Sequence, residues 1–166
     1  SNQTIDLHTV IQKAKPHILI GCSAVRGAFD ETAIKHMLSY TQHPIILPLS
    51  NPTERSEATP HDLIYWTEGK ARIATGSPFS PVDYHGQGFV IAQCNNAMIY
   101  PGIGLGRSVS QATRITDHMI WAASEALSQS NPAQHKIGAA LLPTWPSIHQ
   151  TSTKIAHAVA TQAVQD

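Results

Sequence analysis

Residues 44–53 read Pro44-Ile45-Ile46-Leu47-Pro48-Leu49-Ser50-Asn51-Pro52-Thr53, an apolar run of strand length that stops in a small, polar, uncharged turn. The run is of the buried-strand type, and the proline inside it marks the end of that strand rather than its middle. The same phrase recurs on either side of it. Ile18-Leu19-Ile20 leads into Gly21-Cys22-Ser23-Ala24, and Arg72-Ile73-Ala74-Thr75 leads into Gly76-Ser77-Pro78.

Helical signals fill the intervals. Leu7, Val10, Ile11 and Ala14 recur at helical spacing until Pro16. Asp30 is a good N-cap for a helix through about Tyr40, with Phe29 and Ile34 placed as a hydrophobic staple. Thr59-Pro60-His61-Asp62 supplies an N-cap, a proline at the first helical position and a carboxylate at the third, opening a helix that ends by Gly69. Strands alternating with helices of this length predict right-handed βαβ units and a parallel sheet. Ligands of such sheets bind beyond the carboxyl ends of the strands. Those ends carry Cys22-Ser23-Ala24, Ser50-Asn51-Pro52-Thr53 and Gly76-Ser77-Pro78. Their short side chains suit a nucleotide cofactor or a small carboxylate, although polar turns are also what any α/β protein has.

Beyond Pro81 the rhythm changes. Val82-Asp83-Tyr84 and Phe89-Val90-Ile91 flank His85-Gly86-Gln87-Gly88 as a hairpin. Tyr100-Pro101-Gly102-Ile103-Gly104-Leu105-Gly106 lacks the spacing of a dinucleotide fingerprint and follows a proline, so it reads as close packing of a helix start, not as a phosphate cradle. Val109, Ala112, Ile115, Met119, Ala122, Ala123 and Ala126 continue a long helical pattern, within which Thr116-Asp117 is a possible cap. A last helix starts near Pro146, with Ile148, Ile155, Val159 and Ala163 as its stripe. Ser1-Asn2 reads as the remnant of a cleaved expression tag.

Composition narrows the function classes. The 166 residues carry 11 Lys and Arg against 11 Asp and Glu, a formal net charge of zero, which excludes a basic nucleic-acid footprint. No apolar run approaches the ~18 residues of a membrane span, so a soluble, cytoplasmic protein is expected. Cys22 and Cys94 stand far apart, outside any Cys-x-x-Cys spacing, and read as two reduced thiols. The ten histidines include no pair at metal-ligand spacing. Ser23 and Ser77 lack a nucleophile elbow. Cys22, at a strand end, is either a nucleophile or an inert buried thiol, with burial the stronger reading. What remains is amide chemistry, from Asn51 and from Asn95-Asn96. An Asn side chain donates to a carboxylate and accepts from a hydroxyl or carboxamide without adding charge. The same residues also read as ordinary turn formers.

In chain order, Leu19-Ile20-Gly21-Cys22-Ser23, Gly27-Ala28-Phe29, Pro48-Leu49-Ser50-Asn51-Pro52-Thr53, Glu57-Ala58-Thr59-Pro60, Trp66-Thr67-Glu68-Gly69, Ala74-Thr75-Gly76-Ser77-Pro78-Phe79, Gln93-Cys94-Asn95-Asn96-Ala97 and Pro101-Gly102-Ile103-Gly104-Leu105-Gly106 resemble the carboxyl-terminal part of malic enzymes, in detail the bacterial NAD-dependent type. The resemblance implies the second half of a doubly wound, mainly parallel, Rossmann-like α/β sheet over residues 3–129. A carboxyl-terminal linker and helix would follow over 130–166. It implies oxidative decarboxylation of L-malate to pyruvate and carbon dioxide, with NAD, or NADP, reduced and Mg2+ or Mn2+ holding the substrate, in a homo-oligomer, dimer or tetramer. By motif, Asn51, Asn95 and Asn96 match substrate-binding asparagines, and Cys22, Ser23, Ala24, Ser50 and Asn51 match the cofactor loops. The family's catalytic Tyr and Lys, its metal-binding carboxylates and its glycine-rich loop match no stretch here. The expectation is therefore a malic enzyme piece, with no catalytic or metal-binding residue of its own, little turnover alone, an exposed sheet edge and a tendency to self-associate. The alternatives are a non-catalytic nucleotide-binding or oligomerisation module and part of another Rossmann-type dehydrogenase, for instance one acting on amino acids.

Overall fold

A computed structural model of the chain describes residues 5–134, 136 and 138–166. The reading of Ser1-Asn2 as a tag remnant lies outside the described residues. The chain forms two compact units, Ser1–Gln93 and Cys94–Asp166. Compactness is a different criterion from the functional boundary expected at residue 129.

In the first unit, local capping fixes the elements. Asp6 accepts from the Thr9 amide and opens α1 (Leu7–Ala14), which Lys15 closes in the left-handed region at φ 46°. Asp30 accepts from the Ala33 amide and opens α2 (Glu31–Leu38). Thr59 accepts from the Asp62 amide and opens α3 (Pro60–Trp66), with Pro60 at the first position. Between them run β1 (Ile18–Gly21), β2 (Ile45–Pro48) and β3 (Arg72–Thr75), and Pro48 is the last residue of its strand, as its missing donor requires. β1 pairs with β2 and β2 with β3, all parallel, so that Leu19, Ile46 and Ile73 stand in one row. That row joins Ile11, Phe29, Ala33, Ile34, Met37, Leu63 and Ile64 of the helical layer in one core. Ile34, Met37, Ile46 and Leu63 are completely buried, each removal from water contributing ~1.5–3 kcal/mol. Ile18 and Ile20, on the opposite face of β1, are 51% and 57% exposed.

Two readings change. The hairpin joins β4 (Val82–Tyr84) to β5 (Gln87–Phe89). Its loop is only His85-Gly86, both at positive φ (51° and 79°), the geometry of a two-residue turn; Gln87 and Gly88 are strand, not loop. A further strand, β6 (Ala92–Gln93), pairs parallel to β3 and completes the order β1-β2-β3-β6. Two residues carry no period, and the sequence offers no signal for it.

The second unit is helical. α4 (Tyr100–Val109) ends in a turn through Gln111 at φ 55°, and α5 (Asp117–Ser128) starts afresh where Thr116 accepts from the Met119 amide. The helical pattern is thus divided where Thr116-Asp117 caps a second segment, because capping at Thr116 overrides the apolar spacing across residues 109–119. α6 (Ile148–Gln165) packs against both. Gly102 and Gly106 make the α4–α6 approach possible, since a Cβ there would lie 2.6 Å from the Ile155 side chain and 2.7 Å from the Ala156 carbonyl. The glycine run is helix packing along the body of α4, not only at its start. Among the described residues, no helix is long and apolar enough to cross a membrane.

Candidate functional site

Because β1, β2, β3 and β6 are parallel, their carboxyl ends lie along one side of the sheet, and in the first unit hydrogen bonds tie these ends together. The organiser is Glu57, fully buried. Its Oε1 accepts from the Ser23 amide at 2.7 Å, from the Ser23 hydroxyl at 2.9 Å and from the Ser50 hydroxyl, while Oε2 faces the Ser50 amide at 3.4 Å. Burial pushes the Glu57 carboxyl up, but the Ser50 and Ser23 donors outweigh it and hold the group below the ordinary carboxylate value. The Ser50 oxygen in turn accepts from the Ala24 amide at 2.8 Å. Ala24 sits at φ 55°, a backbone state costing a non-glycine residue about 1–2 kcal/mol that this bond helps to hold. Gly21 makes room for the carboxylate, since a Cβ there would come within 2.6 Å of it.

On the other side of Ser50, the Asn51 Oδ1 accepts from the Ser77 hydroxyl at 2.6 Å, and its Nδ2 donates to the Leu49 carbonyl at 3.2 Å. The Leu49 carbonyl fixes which end of the amide is nitrogen, because the flipped amide would set two oxygens against each other. Gly76 permits the crossing of these loops, as a Cβ there would fall 2.0 Å from the Leu49 carbonyl oxygen. The Gln93 amide donates to the Gly76 carbonyl at 3.2 Å and joins the end of β6 to the network.

This bookkeeping separates the expected ligand-binding residues by what they have left to offer. Asn51 is exposed and keeps one amide proton unspent by these bonds. Ser23 has committed its hydroxyl to Glu57 and accepts from the Val25 amide. Ser50, expected as a cofactor contact, is buried with its hydroxyl used twice inside the protein, where it supports the loops. Cys22 is exposed, so the reading of a buried thiol is corrected: the strand ends at Gly21, and the residue after it turns outward.

In the second unit, Asn95 and Asn96 lie at the start of a short 3-10 turn before α4. Asn95 spends its Oδ1 capping that turn through the Ala97 amide at 2.9 Å. Asn96 is exposed, and its side chain makes no hydrogen bond among the described residues, which leaves it the freer amide for a ligand. Burial pushes the neighbouring Cys94 thiol up.

The sequence over residues 1–164 matches the family model described as malic enzyme, NAD binding domain. The chain belongs to the malic enzyme family. It is 52% identical over 160 residues to the NAD-dependent malic enzyme of Aeromonas salmonicida and 50% identical over 159 residues to that of Aliivibrio salmonicida, in each case covering 96% of this chain and 28% of the relative. The chain thus spans about 28% of the length of these malic enzymes. Among solved structures, a malic enzyme from Entamoeba histolytica superposes with a TM-score of 0.72 at 28% identity, over 92% of this chain and 28% of that one. One from Pyrococcus horikoshii does so with a TM-score of 0.68 at 27% identity, over 90% and 30%. The parallel sheet with its helices is the Rossmann-like sheet of that family.

Within this malic enzyme fold, the sequence alone does not mark Glu57, Gly76, Ser77 and Gln93 as members of one hydrogen-bonded network. Glu57 had one legible sign: a lone carboxylate between Ser56 and Ala58, in a stretch that turned out wholly buried. Ser77 is legible in the sequence as part of a strand-end loop, but its partner, Asn51, lies 26 residues away.

Proposed function

We propose that this chain is the part of an NAD-dependent malic enzyme whose loops meet the nicotinamide and the substrate, and that the whole enzyme oxidises L-malate to pyruvate and carbon dioxide while reducing NAD. The observation that carries this reading is the hydrogen-bonded rim over the strand ends, whose network holds one carboxylate, Glu57, turned inward, and the Asn51 amide turned outward. A rim of this kind leaves a cofactor's positive ring and a dicarboxylate's negative charge to each other. Asn51 donates its unspent amide proton to a substrate carboxylate or to the nicotinamide carboxamide; considered by itself in the second unit, Asn96 is a neutral amide of the kind a substrate carboxylate takes. When bound, NAD supplies the acceptor for the hydride leaving C2 of malate.

Among the described residues, no group of three or more His, Cys, Asp or Glu side chains stands where it could hold a metal ion, so these residues by themselves do not fit a divalent-cation site. The reading extends to residues 3–129 as the cofactor domain and to a cytoplasmic homo-oligomer. It is supported by two free cysteines and by exposed Leu105 and Trp121, at 51% and 70%, on the helical unit. The test is Asn51→Ala and Asn96→Ala in the protein at the full length of its relatives. Both are expected to lower turnover or raise the malate KM while leaving the fold intact. Wild-type kinetics in both would overturn the assignment.

A further inference from the structure

Glu57 stands out within the site because nothing about burial favours a charge there. Its partners are all neutral donors: the Ser23 amide and hydroxyl and the Ser50 hydroxyl on Oε1, and the Ser50 amide facing Oε2. A buried carboxylate is costly unless its hydrogen bonds are complete. A neutral amide oxygen has two lone pairs for the donors that converge on Oε1, and its nitrogen would face the Ser50 amide, donor against donor. The fold also gives way to the carboxylate, since the last residue of β1 is Gly21, whose Cβ would strike it. The Glu57 main chain is anchored independently, its carbonyl accepting from the Phe29 amide at 3.1 Å beside the core. One fixed carboxylate therefore clamps two loops from different strands, and through Ser50, the residue before Asn51, it reaches the Ala24 amide.

We propose that Glu57 is the positioning residue of this site, holding the loops after β1 and β2 in the one arrangement in which the outward groups of Cys22, Ala24 and Asn51 meet the cofactor. The proposal rests on the reading of those loops as the nicotinamide site. Glu57 touches neither ligand and acts through Ser23 and Ser50.

The experiment compares Glu57→Gln, Ser50→Ala, their double variant and Asn51→Ala in the protein at the full length of its relatives, by steady-state kinetics with NAD and malate well below each variant's unfolding midpoint. Because displacement of a site by ~1 Å can cost up to ~100-fold in rate, Glu57→Gln is expected to raise the NAD KM or lower kcat by ~10-fold to ~100-fold. Ser50→Ala, which removes the link to Ala24 without emptying the Glu57 position, is expected to act in the same direction. The double variant is expected to be no worse than the more damaging single one. Kinetics equal to wild type in Glu57→Gln and Ser50→Ala, with only the unfolding midpoint lowered, would show a purely structural clamp and overturn the proposal. If Glu57→Gln fails to fold, Ser50→Ala decides alone. Wild-type kinetics in Asn51→Ala would sink the site reading itself, and the positioning role with it. A damaged Asn51→Ala beside unaffected Glu57→Gln and Ser50→Ala would sink only the positioning role.

Discussion

The three glycines inside α4 offer one chemical change in three environments. Replacing Gly by Ala in a helix interior stabilises by ~0.8–1.0 kcal/mol through backbone entropy alone, and at Gly104 nothing lies within 4 Å of the new Cβ. There the gain is realised in full. At Gly102 the new atom would meet the Ile155 side chain at 2.6 Å and the Ser152 carbonyl at 2.9 Å, and at Gly106 it would meet the Ala156 carbonyl and the Val159 Cβ at 2.7 Å. Reaching ordinary contact at 3.4 Å requires α4 and α6 to part by about 0.7 Å, and main-chain carbonyls cannot rotate away as a side chain would. Overpacking of this kind costs ~1–3 kcal/mol, so Gly102→Ala and Gly106→Ala should fall below Gly104→Ala by that amount. For a chain of this size that is roughly 2–12 °C in Tm, at about 2–4 °C per kcal/mol. Thermal unfolding followed by circular dichroism measures it. The reasoning fails if either packed variant unfolds with Gly104→Ala. The reading of this run as helix packing predicts that the three variants, in the protein at the full length of its relatives, bind NAD in proportion to their folded fraction.

The carboxyl of Glu57 titrates below its ordinary value of 4.5, so its contribution to stability is present above that pH and is lost as pH falls through the lowered pKa. Glu57→Gln should therefore show a flatter loss of unfolding free energy below pH 4.5 than the parent; parallel curves would refute the lowered titration. Cys22 is exposed, whereas burial raises the Cys94 thiol, so a maleimide should label Cys22 first, and NAD should slow that labelling in the full-length protein; preferential labelling of Cys94 would contradict the fold at β1. The isolated chain is expected to self-associate through β1, which has a single strand neighbour among the described residues and carries half-exposed Ile18 and Ile20; a sharp monomer in light scattering would count against it.

Much of the local structure was legible because it is decided within a few residues. Asp30, Thr59 and Thr116 each accept from an amide three positions on, and Pro48 ends its strand for want of a donor. Where capping competed with periodicity, as at Thr116, the shorter-range interaction prevailed. β6 was illegible, because two residues hold no pattern and exist as a strand only through β3.

By itself, then, the amino-acid order determined the strand and helix alternation, the parallel sheet, the turns over its carboxyl ends and the family resemblance, all carried by near neighbours and by motif. Only tertiary structure decided what each turn residue has left to give a ligand. Glu57 reaches Ser23 across 34 residues, Ser77 reaches Asn51 across 26, and Ser50 is taken out of solvent by both of its loops. Hydrogen bonds at such separations leave no local period or propensity to read, yet they set which hydroxyl is spent and which amide remains free.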